Sequence, residues 1–93
     1  KENVMTDLEL TVLNTIFAIN EEWEQADFES ISEESGLTTS VIRGVVTSLV
    51  KKGVARVLDT GCAHLVIVGE HEWPMDNYSD EEWEAVKAAA LSA

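Results

Sequence analysis

The chain has 93 residues, 45% hydrophobic and 26% charged, with 18 acidic against 6 basic side chains and a net charge of −12. That length allows one core and not two, and the composition is that of a folded globular domain rather than a disordered or fibrous one. No uncharged run approaches the roughly 20 apolar residues of a membrane span, no basic start leads into an apolar stretch as in a secretory leader, and the single cysteine, Cys62, excludes a disulfide within these residues and points to a reducing, cytoplasmic setting.

Thr6, with Glu9 three residues on, forms a capping box, and Met5 with Leu10 makes a hydrophobic staple, so a first helix starts here. Leu8, Val12, Leu13, Ile16 and Phe17 recur at helical spacing and predict its core stripe, and the acidic run of Glu21, Glu22 and Glu24 around Trp23 ends it. Asp27 caps a short second helix that buries Phe28 and Ile31 and stops at Gly36. Leu37 is an apolar plug. Thr38 then caps a third helix running to Lys52, with Gly53 as its stop. Steps of three and four put Ile42, Val45, Val46 and Leu49 on one face of that helix and Ser40, Gly44, Thr47 and Lys51 on the opposite face.

Beyond Gly53 the period changes. Val54 to Leu58 and Ala63 to Val68 are short β-branched runs around the turn formers Asp59, Thr60 and Gly61, which predicts a β-hairpin. Residues 69–78, with Trp73-Pro74, read as an extended connector. Ser79 caps a last helix over 79–91, Glu82 completes a second capping box, and Trp83, Val86, Ala90 and Leu91 form the apolar stripe. The whole is one compact unit: a core over 5–68, the connector, and the C-terminal helix.

Charge is distributed unevenly along this layout. A globally acidic chain is repelled by nucleic-acid phosphates and anionic lipid. Yet Ser35 to Leu58 holds Arg43, Lys51, Lys52 and Arg56 and no acid, so this stretch carries +4 while the remainder carries −16. Burial explains missing acids but not why four of the six bases gather there, so the stretch reads as a functional basic face.

Two helices joined at a glycine turn and followed by a hairpin, over Phe28 to Leu58, resemble the winged helix-turn-helix family, and especially its MarR-like bacterial regulators. Ser32 falls where the two helices approach, Gly36 at the turn, and Leu37 and Ile42 beside the start of the second helix. Leu49, Lys51, Lys52, Gly53 and Val54 resemble that family's exit from recognition helix into wing. The resemblance implies a mostly α fold with a small β-hairpin: a three-helix core, a two-stranded wing and an extra C-terminal helix. It also implies a DNA-binding transcriptional regulator of bacterial or phage type, with the helix over 39–52 in the major groove of double-stranded DNA. The positions carried over are Thr39, Ser40, Arg43, Gly44, Thr47, Lys51 and Arg56. Arg43 would read a guanine or grip a phosphate. The hydroxyls of Thr39, Ser40 and Thr47 would donate to phosphate oxygens, and Lys51 and Arg56 would hold the backbone at the rim. On the residues alone, an ion pair between Arg43 and an acid such as Glu34 is an equal alternative. So few cations give weak binding per copy, which favours a homodimer with Trp83, Val86 and Leu91 at its interface. The rival reading is a protein-interaction module whose acidic surfaces meet a basic protein partner, a DNA mimic being one form of it.

Enzyme chemistry finds no support. No glycine-rich phosphate loop follows a strand, and no nucleophile, base and orienting group share a recognisable spacing. Cys62, His64 and His71 are too few for a zinc site without a carboxylate, and Cys62 and His64 are more simply hairpin residues. The expectation is therefore no catalytic residue, no metal, no cofactor and no membrane partner.

Overall fold

The computed structural model describes residues 4–22, 24–61, 63–68 and 78–93. It is mostly helical, with helices α1 (Asp7–Glu21), α2 (Phe28–Ser35), α3 (Thr39–Lys51) and α4 (Asp80–Leu91), and a two-stranded antiparallel sheet of β1 (Ala55–Asp59) and β2 (His64–Val68) between α3 and α4. Among the described residues no helix is long and apolar enough to cross a membrane. Residues 69–77 of the connector, with His71 and Trp73, lie outside the described residues, as do Trp23 and Cys62.

The helix starts follow the expected chemistry. Thr6 caps α1 and Ser79 caps α4, each in a reciprocal box with a glutamate at the third helical position. Asp27 caps α2 in the same reciprocal way with Ser30, and Thr38 caps α3 by accepting from the Val41 N–H. Gly36 ends α2 at φ 78°, a left-handed conformation that glycine reaches without a Cβ penalty. The Ser32 hydroxyl donates to Leu37 O across this turn, so the small residue between the helices also closes their connection.

The core lies where α1, α3 and the inner face of the hairpin meet. Val12, Leu13, Ile16 and Ile19 of α1 pack with Ile31, with Ile42, Val45, Val46 and Leu49 of α3, and with Val54, Ala55 and Val66. Two predicted stripe residues fall outside it. Leu8 is 46% exposed, because the inward position on that turn belongs to Glu9, which is 2% exposed and bound to α3. Leu91 is 64% exposed, because Trp83 and Ala90, two helical turns apart, set the inward line of α4 and Leu91 sits about 100° round from Ala90. Phe17 and Phe28 are half-buried against the core. Asn14 Nδ2 donates to Ala90 O at 2.7 Å, tying α1 to the carbonyl end of α4, and Ala90, fully buried, gives room for that approach.

Ala55 pairs with Val68, Val57 with Val66, and Asp59 with His64. Alternation puts Ala55, Val57, Val66 and Val68 on the face toward the helices and Arg56, Leu58, Leu65 and Ile67 on the other. The far edge of β2 meets the segment before α2: Val66 N–H donates to Ala26 O at 2.8 Å, and Asp27 bridges Leu65. No feature of the sequence between α1 and α2 had marked this pairing.

Candidate nucleic-acid interface

Helix α3 carries no acid, and its buried side is spent on Ile42, Val45, Val46 and Leu49. Its remaining surface carries small polar and basic residues beside the exposed Val41 and Val50. Thr39, Ser40, Arg43, Gly44, Thr47 and Lys51 are all exposed, so the structure brings six of the seven expected site positions onto one helix. Arg56, the seventh, is exposed on the hairpin face opposite Val57.

Each base has its own setting. Arg43 forms no ion pair among the described residues, with Glu34 or any other acid; its guanidinium carbon lies 5.3 Å from the centroid of the Phe28 ring. The other neighbour of Phe28 is His64, whose ring stacks at 5.8 Å between centroids and 17° between planes. His64 Nε2 lies 3.7 Å from Asp59 Oδ2 at the end of the hairpin. Lys51 is exposed and has no carboxylate partner among the described residues. Lys52 is different: its ammonium donates to Glu9 Oε1 at 2.7 Å and to Val4 O at 2.8 Å, so this base is turned inward and neutralised. Among the hydroxyls, Thr39 and Ser40 make no hydrogen bond to the described residues, whereas Thr47 donates to Arg43 O at 2.8 Å and keeps only its acceptor lone pairs for a ligand.

Two depressions open on either side of Arg43. One, of about 280 Å³, is polar and is lined by Asp27, Phe28, Glu29, Thr39, Arg43, Ala63 and His64. The other, of about 570 Å³, runs between α3 and β1 and is lined by Phe28, Arg43, Val46, Thr47, Val50, Lys51 and Val57.

No family model, curated protein or solved structure matches this chain.

Gly44 sits in the middle of α3, where glycine costs about 1 kcal/mol relative to alanine. Nothing lies within 4 Å of where its Cβ would be, so no intramolecular packing requires it. A helix face flattened in this way suits a large surface approaching from outside. The sequence reading missed two parts of the site. Phe28, expected in the core, is half-buried against it and also offers its ring to Arg43 and His64; no local pattern links three residues so far apart in sequence. Val57 belongs to an apolar run that says nothing of which side is inward, and the sequence reading did not single out Val50; each is 41% exposed. Among the described residues no group of three His, Cys, Asp or Glu side chains converges on a metal position.

Proposed function

We propose that this chain is a small DNA-binding regulator of the winged helix-turn-helix type, with α3 as its recognition helix and the β1–β2 hairpin as its wing. The observation that carries the reading is the exposed face of α3. In a chain of net charge −12, it presents Thr39, Ser40, Arg43, Gly44, Thr47 and Lys51 together, with no acid on the helix and no carboxylate claiming Arg43 or Lys51 among the described residues. Arg43 is held against Phe28 but keeps its donors, which suits either a guanine edge or a phosphate. With Lys52 spent on Glu9, each copy offers few phosphate contacts. Binding per copy is then weak and steeply salt-dependent, and two copies on one site would strengthen it.

The test is an anisotropy titration on random duplex DNA at low salt, comparing the wild type with Arg43→Ala/Lys51→Ala. The double variant should bind more weakly, with a slope of log affinity against log salt reduced by about one to two. Equal binding and equal slope for the two proteins would remove α3 from the interface.

A second reading has one observation in its favour. Glu22, Glu24, Glu33 and Glu34 line a single depression with Ala18, Ile19 and Ser30, an acidic surface between α1 and α2 suited to a basic protein partner. Wild-type chain that ignores duplex DNA at low salt would move the assignment to this surface.

A further inference from the structure

The trough between α3 and β1 is not accounted for by DNA binding. Phosphates would take Arg43 and Lys51, but nothing in a duplex backbone fills an apolar floor made of Phe28, Val46, Val50 and Val57. The floor is open because of the turn that follows α3. Gly53, at φ 80°, redirects the chain so that β1 leaves the helix at an angle, and only Ala55 of that strand is buried. Val50 and Val57 are each left 41% exposed across the gap. Among the described residues, the only charged ones lining the trough are Arg43 and Lys51, so the apolar strip is bordered there by cations.

We propose that this trough binds an acidic amphipathic helix of a protein partner. Its apolar anchors would rest on Val46, Val50, Val57 and the Phe28 ring, and its carboxylates would meet Arg43 and Lys51. The dimensions agree. The α3 wall runs from Arg43 to Lys51, eight steps of about 1.5 Å or about 12 Å, which matches the reach of anchors at i, i+3, i+4 and i+7. The charge pattern selects an acidic segment over a basic one, since unlike charges at the border set the register and like charges are rejected. The contact stands without the DNA reading; its consequence, that the helix excludes a duplex from the same two cations, rests on it.

The probe is a fluorescein-labelled synthetic peptide of Glu and Leu, with leucines at i, i+3, i+4 and i+7, beside a peptide of the same composition in scrambled order. The patterned peptide should bind the full chain at least about tenfold tighter than the scrambled one and should displace duplex DNA. Val50→Thr/Val57→Thr keeps shape and charge at two positions already open to water. It should lower peptide affinity about tenfold while duplex affinity stays within about twofold. Val57→Glu should remove peptide binding by repulsion as well, and the amide spectrum of each variant confirms its fold. Amide shifts on binding should fall on α2, α3 and β1. Equal affinity for the two peptides, or shifts confined to α1 and α4, would overturn the proposal. Peptide binding in a chain that ignores DNA would keep the trough and retire the DNA reading, whereas DNA binding without discrimination between the peptides would do the reverse.

Discussion

Glu9 shows how far one side chain can depart from what its sequence position implies. As the third residue of a capped helix it accepts from the Thr6 N–H at 2.8 Å, as a capping box requires. The fold adds Lys52 Nζ at 2.7 Å on the same oxygen and Ser48 Oγ at 2.7 Å on the other, drawing a charged pair into the space between α1 and α3. Burial pushes the Glu9 carboxyl up, but hydrogen bonds from Lys52, Thr6 and Ser48 and the Lys52 charge outweigh it and hold it below its ordinary value of 4.5. Tyr78 is pushed above its ordinary 10.0 by burial and then by the carboxylates of Glu9 and Glu82. The two shifts bracket stability. The Glu9 contribution is complete above pH 4.5 and is lost as pH falls through the lowered folded value; that of Tyr78 is complete below pH 10.0 and is lost as pH rises through the raised one. Glu9→Gln removes the carboxylate that accepts from Lys52, Ser48 and the Thr6 N–H in a position 2% exposed, and should cost about 1.5–3 kcal/mol at neutral pH. Urea melts at a series of pH values should also show a flatter acid limb for this variant, and an unchanged limb would mean that the pair is not formed in solution.

At the scale of elements, α3 is where pattern and packing agree most closely. Its apolar residues at 42, 45, 46 and 49 are all buried, and Ser40, Gly44, Thr47 and Lys51 are all exposed, as steps of three and four require. Ile42→Ala and Leu49→Ala should each cost about 2–5 kcal/mol, since both side chains are fully buried in the core. Val41→Ala, at a position 39% exposed, should stay within about 0.5 kcal/mol in the same denaturant series. A series in which Val41 costs as much as Ile42 would contradict the phase of the helix and with it the outward face. The hairpin was less legible. Its two apolar runs predicted strands of the right length, but a run in which almost every residue is apolar does not say which side is inward. Pairing Val57 with Val66 and Arg56 with Ile67 decides that, and it separates Arg56 from the trough.

For the whole molecule, the C-terminal helix changes what a test of assembly can use. Trp83 is 5% exposed within its own chain, in edge-to-face contact with Tyr78 at 6.2 Å, and its Nε1 meets no acceptor among the described residues. Trp83→Ala would therefore cost about 3–5 kcal/mol and report on the core rather than on a dimer. The surface left for a second copy is Leu91, half-buried Val86, and the apolar depression of about 520 Å³ that Val86 and Ala89 share with Val4, Met5 and Leu10. If two copies meet there, light scattering should give twice the 10.2 kDa chain mass, returning to one with Leu91→Ser/Ala89→Glu, which takes nothing from the core. A single-chain mass for the wild type at every concentration would remove the dimer.

Helix starts, turn glycines, the inward face of α3 and the gathering of bases between residues 35 and 58 are legible in the chain alone, because caps, periodicity and φ preferences act over a few residues. Tertiary structure alone decided which of those bases remain available. Lys51 and Lys52 are neighbours of the same type, yet one is exposed and the other is half-buried, with its ammonium donating to Glu9 and to Val4 O before α1. It also decided that Phe28 would carry Arg43 and His64, and that Val50 and Val57 would face each other across an open trough. These outcomes depend on the angles at which separate elements meet, and those angles are set by the packing of the whole core rather than by any local run of residues.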